Sequence, residues 1–159
     1  IYVCNVDEKS ILEGNKFTKN LSESIKENII LISAEIESQI SSLSSADQAE
    51  YLESLGLKQS GLNKIIKSGY QILSLITYFT SGEQETRAWT VTSGSKAPDA
   101  AGKIHSDFQS GFIRAETISY DDFVECDGEI KAKELGKMRS EGKEYVVQDG
   151  DVMHFLFNN

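Results

Sequence analysis

An amide and a carboxylate stand three residues apart in Asn5-Val6-Asp7-Glu8, immediately after the apolar run Ile1–Cys4. Side chains of these types at the end of a strand can pair with the donors and acceptors along the edge of a planar ligand. The same spacing is common, and Asn5 can equally cap the turn that follows. Elsewhere the chemistry-bearing residues are scattered. His105 stands near Asp107, and His154 lies in the last apolar run, with no serine or cysteine nucleophile pattern beside either. The acidic run 121–129 lacks the alternating ligands and glycine position of an EF-hand loop and reads as a solvated edge. Cys4 and Cys126 belong to no CxxC or Cys/His pattern, so reduced thiols are expected rather than a disulfide framework or a zinc site. The phosphate-cradling pattern GxxxxGK[ST] does not occur.

These residues must be positioned by a chain of 159 residues with 39% apolar content, enough for one domain or two small ones. The formal charge is −9. Residues 1–72 hold 7 Lys against 10 acids, and residues 73–159 hold 9 Lys or Arg against 15 acids. Neither part is basic overall, which argues against non-specific nucleic-acid binding unless a patch is concentrated locally. The apolar stretches 29–32 and 72–79 are too short or too polar to span a bilayer, and no signal-peptide pattern opens the chain. A cytoplasmic protein with no membrane partner is expected.

Ile1–Cys4 and "NIILIS" at 28–33 read as two fully buried strands, because neither alternates. Between them "KNLSESIKEN" places Leu21 and Ile25 on one face of a short helix. Strand, helix, strand predicts a parallel unit, but two strands do not make a covered sheet, so further strands are expected upstream. A helix is expected over 41–56, capped by Ser45 with Gln48 and stopped by Gly56, and a second follows Ser60 with Leu62, Ile65, Ile66, Gly69, Ile72 and Leu73 on one stripe. Beyond "TYFTSGEQET" strands are predicted at 87–91, 112–119 and 152–158, with "EYVVQDGD" as strand, tight turn and return. One main helix is predicted between the first two, with Pro98 near its start and Ala101, Ile104 and Phe108 on its inner face. Strands around one helix indicate a small α+β domain of mixed sheet.

The runs "YVCNVDE", "LISAEIE", "LESLGL", "SGLNKIIKSGYQILSLITYFTSG", "ETRAWTV", "KAPDAAGKIHSDFQSGFIRAETISYDDFV" and "KELGKMRSEGKEYVVQDGDVMHFLFN", in that order, cover essentially the whole chain. Together they resemble the C-terminal part of the YchF family of Obg-like P-loop ATPases and GTPases. The resemblance implies three segments. Residues 1–42 would be an α/β remnant carrying the last two strands of a P-loop nucleotide-binding domain, and 43–74 an α-helical junction. Residues 75–159 would be a TGS domain, an α+β module of the β-grasp class.

It also implies roles for individual residues. Asn5 would contact a nucleotide base, Val6 would add backbone or apolar contacts, and Glu8 would set base specificity, with Ser33 and the Ala34 backbone lining the same pocket from a second loop. Guanine-specific relatives carry Asn-Lys-x-Asp here; Val6 replaces the Lys and Glu8 the Asp. The longer carboxylate leaves the guanine clamp, which fits a preference for ATP over GTP. Magnesium with ATP or GTP would be bound by the intact protein and would not be held tightly by these residues alone, which would then be catalytically inactive. In the second domain, Lys96, Lys103, His105, Arg114, Lys137 and Arg139 are candidates for contacting RNA or the ribosome, through the large subunit or the whole particle. Trp89, Phe108, Phe112, Tyr120 and Phe123 either stack on bases or, as their spacing favours, form the core. The alternative is a stand-alone β-grasp module that binds a small ligand or a protein with no nucleotide-coupled role.

Overall fold

The two apolar runs at the start pair as expected: β1 (Tyr2–Asn5) lies parallel to β2 (Ile29–Ile32), with Tyr2 opposite Ile29 and Asn5 opposite Ile32. The computed structural model describes residues 1–82 and 84–158. It contains two compact units, Ile1–Ile72 and Leu73–Asn159. Among the described residues no helix is long and apolar enough to cross a membrane.

In the first unit β1 leads through a 3-10 turn, capped by Asp7, into α1 (Lys16–Ser24). Asn15 and Thr18 form a reciprocal capping box there, each side chain bonding the other's N–H at 3.1 and 2.8 Å. After β2 come α2 (Ala34–Ser41), α3 (Ser45–Ser54) and α4 (Gly61–Ile72). The predicted helix over 41–56 is shorter, and Ser44 rather than Ser45 caps it, its Oγ accepting from Asp47 N–H at 3.3 Å. Gly56 does supply the left-handed stop, with φ +70°. Ser60 does cap the next helix, accepting from Asn63 N–H at 3.2 Å. The core here joins Val6, Ile11, Ile36, Ile40 and Leu57, with Cys4, Leu31, Tyr51, Leu52 and Leu55 packed against it. The expectation that both strands are fully buried fails: in β2 only Ile30 is buried, and in β1 Tyr2 and Val3 are 42% and 45% exposed, because of that strand only Cys4 packs on this core.

The second unit is built on a five-stranded sheet in the order β4-β3-β7-β5-β6. Its strands are β3 (Leu75–Ser81), β4 (Thr86–Thr92), β5 (Phe112–Ile118), β6 (Arg139–Glu141) and β7 (Val152–Phe157). The last strand lies in the middle, parallel to β3 and antiparallel to β5. Tyr78, Val91, Ala115, Met153 and Phe155 form the core with Ala97, Ala100 and Ala101 of α5 (Ala97–Ile104). Those three alanines are fully buried, and their small side chains let the helix settle close on the sheet. Tyr78 is fully buried, and its hydroxyl donates to the Ala100 carbonyl at 2.8 Å. Burial pushes its phenol well above the ordinary tyrosine range.

Several expectations are corrected here. The single helix over 97–108 breaks at His105, whose φ of −160° is extended, so α5 ends and α6 (Ser106–Ser110) begins. His105 therefore sits at a junction, with its Nδ1 accepting from Asp107 N–H at 3.2 Å. The run 144–151 forms no strand beyond a bridge from Val146 to Lys96. Its backbone bonds instead to the start of α5, with Val147 N–H on Ser95 O and Ala97 N–H on Tyr145 O. The acidic stretch folds into α7 (Tyr120–Glu125) and α8 (Glu129–Glu134) around Ile118, Cys126 and Ala132. Among the aromatics, Phe112 is buried in the core, while Trp89 and Phe108 pack against it and Phe123 packs on the smaller cluster.

Replacing Tyr78 with Phe removes one buried hydrogen bond and is expected to cost about 1 kcal/mol. Tyr78→Ala, which also opens a cavity, should cost about 3–5 kcal/mol. Urea denaturation midpoints of the three proteins measure both.

Candidate functional site

Among the sequence-chosen residues, the structure brings Asn5, Val6, Ser33 and Ala34 together. They occupy the adjacent C-terminal ends of β1 and β2, the end of a parallel pair where ligands of α/β folds bind. Asn5 Oδ1 accepts from the N–H of Ala34 at 2.9 Å, joining two loops that are 29 residues apart. Val6 is buried and donates from its N–H to Ile32 O at 2.8 Å. Ser33 is buried as the cap of α2, its Oγ accepting from Ile36 N–H at 3.4 Å. Glu8 is exposed on the 3-10 turn. Asn5 and Glu8 are thus exposed and Val6 and Ser33 buried at this end of the parallel pair.

Sequence reasoning missed the support beneath this end. Glu37 of α2 accepts from Gly61 N–H at 2.6 Å and so caps α4 from a distance. A Cβ on Gly61 would lie 2.7 Å from Ile32 Cγ2, so α4 starts directly against the end of β2. No local pattern announces a cap supplied 24 residues away.

The six cationic candidates do not form one unneutralised patch. Lys96 bonds Glu144 at 2.5 Å, Arg114 bonds Glu116 at 3.2 Å and Lys137 bonds Asp122 at 2.9 Å. Arg139 bonds Glu141 at 3.1 Å and the buried Asp151 at 3.4 Å, and His105 lies 3.3 Å from Asp107. Only Lys103 has no ion pair among the described residues. It lies exposed in the last turn of α5, near His105. Glu144 raises the Lys96 amine above its ordinary value by a hydrogen bond and by charge. The Ser119 hydroxyl, then Lys137, hold the Asp122 carboxyl below its ordinary value. Tyr120 is the one large aromatic of the expected stacking set that is mostly exposed, at 52%, with its ring 5.9 Å from Phe79.

No group of three or more His, Cys, Asp or Glu that could hold a metal ion occurs among the described residues, and Glu8 alone is no such set.

A family model described as "YchF-GTPase_C: Protein of unknown function (DUF933)" matches residues 75–158. The chain belongs to the YchF family. Curated YchF relatives named "Ribosome-binding ATPase YchF" include one from Bacillus subtilis (strain 168), 52% identical over 163 residues, and one from Escherichia coli O157:H7, 49% identical over 161 residues. Both alignments take in 99% of this chain and 44% of the relative, so the chain spans less than half the length of those proteins. The solved "Structure of the Schizosaccharomyces pombe YchF GTPase" superposes with a TM-score of 0.86 at 35% identity, covering 98% of this chain and 43% of that one. A "GTP binding protein from Pyrococcus horikoshii OT3" shares the fold at a TM-score of 0.63 and 18% identity, covering 98% of this chain and 45% of that one. The mixed sheet-and-helix structure of this YchF chain is thus similar to that of a solved YchF protein.

Because the Asp122 carboxyl lies below its ordinary value of 3.8 in the folded chain, the stability it contributes is present above that value. It is lost as pH falls from there through the lower folded value. Lys137→Ala should move the Asp122 carboxyl back toward 3.8, as read by carbon-detected NMR titration. An unchanged titration would mean that the lysine is not among the causes.

Proposed function

We propose that this chain is the C-terminal part of a cytoplasmic, ribosome-associated P-loop NTPase, and that it supplies the base-side wall of the nucleotide pocket together with a partner-binding module. In this reading residues 1–42 end the nucleotide-binding domain, 43–74 are the helical junction, and 75–159 are the TGS domain. A helix packed on a mixed sheet, with the first and last strands adjacent and parallel, supports the β-grasp assignment. The names of the curated relatives support an ATPase that meets the ribosome.

The observation that carries the nucleotide reading is the bond from Ala34 N–H to Asn5 Oδ1. It holds the two loops in one register, so that the Asn5 amide and the Glu8 carboxylate address one planar ligand edge. An adenine edge presents a lone pair where guanine presents a donor, and a carboxylate one methylene longer than Asp relaxes the guanine clamp. Val6 packs beneath the ring, and Ser33 fixes the Ala34 loop. Magnesium and the triphosphate are held by residues outside this chain, where most of the affinity resides. No hydrolytic step belongs to residues 1–159.

For the second unit, Lys103 is the lysine or arginine with the smallest neutralisation cost on meeting RNA, since the other four must first exchange an acid partner. The whole ribosome or its large subunit is the partner, with RNA the chemistry contacted.

In the full-length protein, Asn5→Ala should weaken ATP binding about tenfold, equivalent to about 1.4 kcal/mol. Glu8→Asp should shift preference toward GTP; both are read by calorimetric titration with each nucleotide. Equal ATP and GTP affinities in the native protein and in both variants would remove the base-side role. Co-sedimentation of residues 1–159 with ribosomes at two salt concentrations tests the second half. Salt-sensitive pelleting that Lys103→Glu weakens supports it; a folded chain that never pellets places the partner site elsewhere.

A further inference from the structure

We propose that the free edge of β2 is a strand-addition site for an extended acidic segment of a partner protein. Among the described residues β2 pairs with β1 alone. Tyr2 and Val6 donate their N–H groups to the carbonyls of Asn28 and Ile32. By strand alternation, the N–H and C=O groups of Ile29 and Leu31 point to the opposite edge. A groove of about 460 Å³ is lined by residues 28–31 together with Ile11, Leu12, Gln59 and the α4 residues Lys64, Lys67, Ser68 and Gln71.

Three features of the groove select its occupant. The first is charge. No Asp or Glu lines it among the described residues, in a chain with 25 acidic against 16 basic residues. Lys67 Nζ donates only to the neutral Gln59 amide, at 3.0 Å, and neither lysine has an ion pair among the described residues. Two unneutralised cations therefore flank the strand, in contrast to the paired cations of the second unit. The second feature is the edge itself, which alternates donors with acceptors along the strand. A peptide backbone satisfies both, whereas a phosphate chain brings acceptors only and would face the Ile29 and Leu31 carbonyls unfavourably. The third is Leu12, which lines the groove and is 59% exposed. A segment alternating acidic and apolar residues presents carboxylates to the lysines and apolar side chains to Leu12. Edge strands are commonly blunted by lysine against self-pairing, and the same lysines make this edge selective for an acidic strand.

The proposal is independent of the nucleotide reading. Its test uses residues 1–159 and a fluorescein-labelled peptide of five Glu-Val repeats, followed by fluorescence polarisation. Saturable binding at roughly 10–100 μM is expected, the range of a short strand-addition peptide that orders on binding. Lys64→Glu with Lys67→Glu should weaken it at least tenfold, while Lys133→Glu on α8 should leave it unchanged. Amide hydrogen exchange of the native chain should slow at Ile29 and Leu31 when the peptide is saturating. That second readout needs no variant, so a misfolded double substitution does not spare the proposal. Four results would overturn it: no saturable binding at millimolar peptide, equal binding of a Lys-Val peptide or of a Glu-Val peptide interrupted by proline, binding of oligouridylate in place of the peptide, or unchanged exchange at Ile29 and Leu31.

Discussion

A buried carboxylate decides how the larger sheet closes. Asp151 is 2% exposed and would be costly there without donors. It receives the Tyr145 hydroxyl at 2.7 Å, the Gln148 N–H at 2.9 Å and the Arg139 guanidinium at 3.4 Å. Its own carbonyl accepts from Phe79 N–H at 2.7 Å, so the residue that collects these donors also begins the parallel pairing with β3. Burial and then Asp151 push the Tyr145 phenol well above its ordinary range, which keeps it a donor. From this point β7 runs between β3 and β5 and delivers Met153 and Phe155 to the core. The helix α5 then covers that core through alanines.

Side chains bonding backbone at a distance govern the first unit too. Asn5 satisfies the first N–H of α2, and Glu37 of α2 satisfies the first N–H of α4. Helix starts carry unpaired donors and a partial positive charge, so both bonds are favourable and both tie a helix to a particular loop. The result is a chain of fixed ends, from β1 through α2 to α4.

Charge distribution separates the two units more sharply than their totals do. In the second unit most candidate cations sit within 3.4 Å of an acid, so few of them stand unpaired on a part of the chain that is acidic overall. Exposed pairs of this kind add little to stability, but they must be exchanged before an anion can bind. In the first unit Lys64 and Lys67 have no ion pair among the described residues and line one groove with residues 28–31. Net charge identifies neither situation.

Some of this was legible in the residues. The parallel pairing of Tyr2–Asn5 with Ile29–Ile32, the caps at Ser60 and Gly56, and the helix beginning near Pro98 follow from local preferences of a few neighbouring residues, and such preferences survive folding unchanged. The likeness to YchF proteins was legible for the same reason, since long runs of residue types carry it directly. The internal strand β3 was not read as one, because a continuous apolar run from 72 to 79 does not say whether it is helix end or strand until it has neighbours on both sides. Residues 144–151 have strand-forming side chains and form no strand, because their backbone donors are taken by Ser95 and by Asp151. The meeting of Asn5 with Ala34 and the pairing of nearly every candidate cation were likewise settled only by tertiary structure. Sequence determined which groups the chain carries and which short elements they favour. Which groups end up within 3 Å of each other across 24, 29 or 48 residues was decided by the packing of those elements, because a hydrogen bond depends on position in space and leaves no local trace in the residues that make it.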